Sequence, residues 1–517
     1  MFKMKAQFIM ALLLVVGLLI GFMAGSFIQS PQMTTVTKTS LTTETVSKKI
    51  LKTTTSTEIL SMTSIKTMIL TRTEIVKLKG ESLIISLTAR PYLRRSEDRW
   101  IWFNLTVKAL SEKNEPIRDL MVVVDDVKKV VTNERGVAEL SGIGAGAHKL
   151  KLKCKDRVIE KHFDLAFPNI DPDPSYINLM MSGRKSKVTF IAAYYGWYGV
   201  SDLGWRHWDN PENPATKYLP LLGQISGDSI SQSYSLYGFS LNADENLRLV
   251  KKQIALAKLA GISAFAVSWW GPNSFEDRFM PIIIEAAKQM EFKVTVIFEP
   301  FYKSHPNKWD VVKKSIEYLE EHYITSDVWL KDSEGEPVIF TFDIGPHEDW
   351  SRWKEILSDK KMAWVAHTTD RSVLDYGFKY FYEYSPVGIV AAGDDIMRVY
   401  MGVSDIPPYD KRFIPTISPR YDDTKVRSPG YSIGEKLWRD SVRATKSVIL
   451  HRKPEFVFIT SWNEWHESTA MEPSTDQGFK FLIEFSKEFY GKNLSEFDFL
   501  KALRVVDCLE LCQIPLI

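Results

Sequence analysis

Eight short apolar runs of strand composition recur through the last three-fifths of this chain, with segments of helical period between most of them. The runs are Lys187–Tyr195, Ser263–Trp269, Lys293–Phe298, Pro337–Phe342, Met362–His367, Phe378–Tyr382, Phe413–Ser418 and Phe456–Thr460. The helical segments include Glu245–Leu259, Glu276–Met290, Trp309–Glu321, Trp350–Ser358 and Ile433–Leu450. Strands buried on both faces read as continuous apolar runs, and parallel neighbours need a long crossover between them. The alternation therefore predicts an α/β fold, a (β/α)8 TIM barrel. A doubly wound open sheet is the competitor, but no glycine-rich dinucleotide fingerprint follows the first strand. In a barrel the site lies at the C-terminal ends of the strands. Tyr194, Tyr195, Trp197, Trp269, Trp270, Glu299, Asp343, His367, Tyr382, Glu383, Tyr384 and Glu464 fall there. Aromatic rings for C–H faces and carboxylates for hydroxyls are what a sugar cleft needs.

The residues ahead of the barrel read as an anchor, a stalk and a small β-module. Lys3 and Lys5 precede an uncharged run, Phe8–Ile28. At about 1.5 Å per residue such a run spans the roughly 30 Å core of a bilayer. Residues 1–28 are expected to be a signal anchor, single-pass in the cell membrane, with the bulk of the chain extracytoplasmic. A small-residue stretch at Ala24–Ser26 leaves a cleaved secretion signal as the alternative. Residues 29–80, rich in Ser and Thr, read as an extended stalk. Residues 81–167 carry short alternating runs with turns such as Asn133-Glu134-Arg135-Gly136 and resemble an immunoglobulin-like β-sandwich. Residues 168–185, with three prolines between Pro168 and Pro174, read as a linker. The barrel takes 186–492, and 493–517 form a C-terminal segment.

Composition narrows the chemistry. Lys+Arg exceed Asp+Glu by two among 517 residues, which gives no reason to expect a nucleic-acid partner. Three cysteines form neither a disulfide framework nor a four-cysteine zinc site. Cys508 and Cys512 read as packing residues. Nine histidines are scattered without an HExxH pattern, and no metal or other cofactor is expected. Ser461 lies in no GxSxG elbow. Asn104 and Asn493 head N-glycosylation acceptor patterns.

The sharpest local feature is Ile459-Thr460-Ser461-Trp462-Asn463-Glu464-Trp465-His466-Glu467, just after the last strand. Two glutamates three residues apart on a turning segment can converge on one sugar. Glycoside hydrolysis needs such a pair, one carboxyl to protonate the leaving oxygen and one to supply or activate a nucleophile. Flanking Trp462, Trp465 and His466 argue against a merely solvated pair.

Here the chain resembles the endo-α-mannosidase family of glycoside hydrolases, family 99. Tyr194-Tyr195-Gly196-Trp197-Tyr198-Gly199 with Trp205-Arg206-His207-Trp208 is similar to its opening motif. Ser268-Trp269-Trp270-Gly271-Pro272 and Ile297-Phe298-Glu299-Pro300-Phe301 resemble the next two. Ser461–Glu467 with Glu472-Pro473 resembles the last, and Ser418-Pro419-Arg420-Tyr421-Asp422-Asp423 adds a fifth likeness. The resemblance implies a metal-free, retaining hydrolase or transglycosylase acting inside α-mannoside-containing glycans. It makes Glu467 the general acid/base and Glu464 a base on the substrate's own 2-hydroxyl, through an anhydro-sugar. Around them the expected substrate-binding set is Tyr194, Tyr195, Trp197, His207, Trp269, Trp270, Glu299, Tyr384, Trp462, Asn463 and His466. Ser468 departs from the pattern, because close members carry glycine after the second glutamate. Two classes stay open: a membrane-tethered glycosidase acting on a mannose-type glycan, and a non-catalytic glycan-binding or cell-envelope surface protein. The partners expected are that glycan and the lipid bilayer.

Overall fold

In the computed structural model the described residues are 70–504, apart from 79–80, 97–98, 112, 145, 155–156, 166–170, 184–187, 202–203, 208–219, 230–238, 242, 345–347 and 475. The apolar run Phe8–Ile28, most of the expected stalk, and Cys508 and Cys512 lie outside them. Among the described residues no helix is long and apolar enough to cross a membrane.

Two four-stranded antiparallel sheets come first. One orders Leu70–Leu78, Glu81–Ser96, Arg99–Ser111 and Val137–Gly144; the other orders Lys128–Val131, Met121–Val124, Gly146–Cys154 and Arg157–Leu165. Alternation buries Phe103, Leu105 and Val107 of the first, and Leu150 and Leu152 of the second. Leu70–Leu78, read on sequence as the end of the stalk, pairs along its whole length with Glu81–Ala89. The expected linker needs a correction as well, because Pro174–Met181 is an α-helix. Proline is excluded from helix interiors but suits the first turn, where its missing N–H has no intrahelical partner anyway. Asp173 caps this helix, accepting from the N–H groups of Ser175 and Tyr176 at 3.0 and 3.1 Å. Its N–H donates to Ala502 (2.8 Å) and the Tyr176 hydroxyl to Asp498 (2.9 Å), which docks the helix on Glu496–Ala502.

The barrel is a nearly closed ring of nine parallel strand segments. In chain order they are Thr189–Tyr194, Ala264–Trp269, Lys293–Phe298, Val338–Thr341, Ala363–His367, Tyr380–Tyr382, Phe413–Ile414, Thr416–Ile417 and Phe456–Ile459. The seventh and eighth are consecutive across Pro415, which has no N–H for the ladder, so the chain passes the ring eight times. The last strand pairs with the first, Phe456 opposite Thr189 through Ile459 opposite Ala192. Helices Ala243–Ala260, Phe275–Met290, Lys308–Leu319, Trp350–Leu357 and Lys436–Arg452 follow the sequence reading to within a few residues.

The period of two along each strand divides the ring into an inside and an outside. Ile191, Ala193 and Tyr195 share one buried cluster with Ala264, Ala266, Ile297, Phe340, Val365, Tyr382 and Phe458, the barrel interior. The alternate residues Phe190, Ala192, Tyr194, Phe265, Val267 and Trp269 pack instead with helix residues such as Ile254 and Ile283. A small sheet is inserted after the first barrel strand, from Gly199–Ser201, Gly204–Arg206, Ile225–Ser229 and Phe239–Leu241. It carries His207 just past its second strand.

Candidate active site

The chain leaving Phe456–Ile459 folds into a tight loop that its own backbone staples together. Ser461 N–H donates to Thr469 (3.0 Å), Thr469 N–H to Glu464 (3.1 Å) and Glu472 N–H to Trp462 (2.8 Å). Ser461 Oγ accepts the Glu464 N–H at 2.7 Å. Asn463 fastens the loop to the first strand: its Oδ1 accepts from Tyr195 N–H at 2.7 Å and its Nδ2 donates to Tyr195 C=O at 2.9 Å. The loop thereby holds Glu464 inside the barrel mouth and Glu467 nearer its rim.

The two carboxylates meet different surroundings. Glu464 is buried, and its Oε1 accepts from the Tyr198 hydroxyl and from the His466 N–H (3.0 Å). Burial pushes its pKa up, the charge of Glu467 adds to this, and the two hydrogen bonds hold it back. Glu467 has a side chain 20% exposed, and its Oε1 accepts from Arg427 Nη2 at 2.8 Å. Arg427 Nη1 in turn reaches Asp423 Oδ2 and the Tyr421 hydroxyl, each at 2.8 Å. Arg427 belongs to the loop closed by the strand pair Tyr421–Asp422 and Ser432–Ile433.

A third carboxyl completes the floor. Glu299 is buried just past Lys293–Phe298 and accepts from Ser268 Oγ at 2.7 Å, while Trp270 Nε1 donates to that Oγ at 3.2 Å. Burial pushes Glu299 up to about 8, and the charges of Glu276 and Asp343 act in the same direction. A protonated Glu299 adds an O–H donor to the floor. The hydroxyls of Tyr195 and Tyr384 bond each other. Burial raises both phenols, and the charges of Glu464 and Glu299 act on each, with Glu467 also acting on Tyr384. These groups share one site.

One wall is a column of rings. Trp197 stacks on His207 with centroids 4.6 Å apart, and His207 on His466 at 5.2 Å. Tyr198 stands edge-on to His466. Burial, with His466 nearby, pushes His207 down to about 3, so the column is built on a neutral imidazole. Trp270 is half-buried beside Glu299.

Four of the expected ligands make contacts with other parts of the chain. Tyr194, Trp269 and Trp462 belong to the layer between strands and helices, not to the mouth. The Tyr194 hydroxyl bonds Gln253 (2.8 Å), Trp269 Nε1 bonds Asp277 (2.9 Å), and Trp462 packs on Phe265. Asn463 spends its carboxamide on the Tyr195 backbone. The sequence reading also passed over Tyr198, Ser268 and Arg427. Tyr198 and Ser268 lie within quoted motifs, and the signal for Arg427 was its place four residues after Asp423, helical spacing for an ion pair. Among the described residues no group of three His, Cys, Asp or Glu side chains is arranged to hold a metal ion.

The Glycoprotein endo-alpha-1,2-mannosidase-like protein of Homo sapiens is 25% identical over 320 residues, covering 54% of this chain and 67% of that one. The Glycoprotein endo-alpha-1,2-mannosidase of Mus musculus is 23% identical over 318 residues, covering 54% and 67%. Among solved structures, the GH99 endo-alpha-mannosidase from Bacteroides thetaiotaomicron aligns with a TM-score of 0.47 at 20% identity, over 62% of this chain and 99% of that one. The pattern that defines Glycosyl hydrolase family 99 matches residues 186–484, more than half of the chain and the whole ring of strands. The chain belongs to glycosyl hydrolase family 99.

Proposed function

We propose that the protein is a retaining, endo-acting hydrolase of α-mannoside-containing glycans, held outside the cytoplasm by its N-terminal apolar segment. The observation that carries the catalytic part is the Glu464–Glu467 pair: two carboxyls on one stapled loop, both acting on Tyr384, one buried and one at the rim. The relatives named as glycoprotein endo-alpha-1,2-mannosidases support the substrate class. The β-sheets ahead of the barrel, immunoglobulin-like on sequence, act as a spacer.

In this reading Glu467 protonates the glycosidic oxygen as the bond from C1 breaks. Glu464 takes the proton of the 2-hydroxyl, whose oxygen closes on C1 to give a 1,2-anhydro sugar. Water then opens that ring, giving its proton to Glu467 while Glu464 returns its own to O2, and two inversions leave the anomeric configuration retained. Tyr198 and the His466 N–H both engage Oε1 of Glu464, so the sugar's proton goes to Oε2. Burial and the charge of Glu467 favour the neutral form of Glu464, so this route requires the pair's proton to sit on Glu467 when the sugar binds.

The test is incubation of the purified full chain with a panel of α-mannose oligosaccharides, reading product size and first-formed anomer by NMR. Internal cleavage with retained configuration is expected. Absence of cleavage across the panel, with binding preserved, would replace the enzyme reading by a glycan-binding one.

A further inference from the structure

Across the ring from the glutamate loop, the strands Val338–Thr341 and Ala363–His367 end in a second polar and aromatic group. The His367 ring lies flat on Phe342, centroids 4.9 Å apart and 8° from parallel. Phe342 stands edge-on to Tyr384 at 5.0 Å, which makes this group continuous with the site floor. The backbone N–H of Asp343 donates to His367 Nδ1 at 3.0 Å. A neutral imidazole that accepts at Nδ1 carries its proton on Nε2. That Nε2 faces Glu383 Oε1 at 3.7 Å, beyond direct hydrogen-bond reach. The two side chains are 20% and 25% exposed, so each keeps surface for a ligand to meet. Lys303 spans Asp343 (3.1 Å) and Glu348 (3.0 Å), fixing the segment whose N–H sets the tautomer.

A donor and an anionic acceptor held this far apart suit a hydroxyl group. An oxygen beside the line joining them sits about 2.8 Å from each, accepting from Nε2–H and donating to the carboxylate. We propose that Phe342, His367 and Glu383 form a further sugar subsite, which reads one hydroxyl of a hexose next to those spanning the cleaved bond. The proposal rests on the glycosidase reading for its substrate class, and it makes His367 and Glu383 determinants of chain-length specificity.

The experiment uses the full chain and α-mannose oligosaccharides lengthened one sugar at a time from the shortest one cleaved. kcat/KM should step up about ten-fold at the length that fills the subsite, the size expected of a hydrogen bond to a charged group. His367→Phe keeps a flat ring and removes the donor; Glu383→Gln keeps the shape and removes the charge. Each should shrink that step to less than about two-fold, a ratio that general misfolding does not move. A step that persists in both variants, or a wild type without one, overturns the subsite and leaves the glycosidase reading standing. If the wild type cleaves none of the series, that reading fails, and the same lengths are compared by calorimetric binding. A length step in Kd lost in both variants then upholds the subsite, and no such step rejects it.

Discussion

Glu464 and Glu467 are three residues apart in sequence and yet differ in what surrounds them, and that difference decides which mutations should matter for which substrates. Glu467→Gln keeps size and hydrogen bonding but removes a proton donor. General acid catalysis supplies roughly 10²–10⁴-fold, so natural glycans should be cleaved at least about 100-fold more slowly. Aryl glycosides whose leaving group departs unprotonated should be affected less in their first step. Glu464→Gln removes the base, which activated and natural substrates both need, so both should fall together. A 2-deoxy substrate should not turn over even in the wild type. Its turnover would remove the anhydro-sugar route, and full activity in both mutants would remove the glycosidase reading. The tryptophans separate as sharply. Trp270 is half-buried beside Glu299, so Trp270→Ala should weaken glycan binding by about 1–3 kcal/mol, measurable by titration calorimetry. An unchanged Kd would assign Trp270 to packing, as Trp269 already is.

At the scale of the element, the loop 460–472 explains what a family pattern leaves unsaid about Ser468. Its φ is +57°, the left-handed region, where a Cβ is disfavoured and glycine is at ease. In exchange its Oγ donates to Asp422 C=O at 3.0 Å, and its own C=O accepts from Arg420 Nε at 3.1 Å. The conformational cost is roughly 1–2 kcal/mol and one hydrogen bond returns about 1, so Ser468→Gly should leave the melting temperature nearly unchanged. Ser468→Val, branched and without the hydroxyl, should lower it by several degrees; equal effects of the two would mean the loop does not hold this backbone. The same element marks the limit of reading from sequence. Strands and helices of the barrel were legible because burial on both faces and helical period each leave a pattern. Parity within a strand end was not, since adjacent aromatics such as Tyr194 and Tyr195 differ by one residue and face opposite layers. Tyr198 and Arg427 sit on loops, where no period points either one at the glutamates. Pro174 misled for a local reason: one proline breaks a helix or starts it, depending on a single position.

The whole molecule joins a compartment to a charge distribution. If Phe8–Ile28 spans the bilayer behind Lys3 and Lys5, protease added to intact cells should release the barrel, and full protection would sink that topology. Among the carboxyls the barrel buries are Glu299, Glu464 and Glu472, each raised by burial. Glu472, pushed up to about 8, accepts from Gln253 Nε2 at 2.9 Å and lies outside the proposed chemistry. A folded-state pKa raised above the unfolded one means the native protein binds more protons between the two values. Stability is then fullest below the ordinary carboxyl pKa and is lost as pH rises through about 8. Glu472→Gln removes this share without removing the acceptor for Gln253. Its denaturation midpoint should match wild type near pH 3.5, where the unfolded carboxyl has only begun to lose its proton. Near pH 8 the variant should be the more stable by at least about 1.4 kcal/mol, the equivalent of one pKa unit. The opposite order, or an equal gap at both pH values, would show that Glu472 ionises in place, and that the network behind the catalytic loop carries a charge at neutral pH.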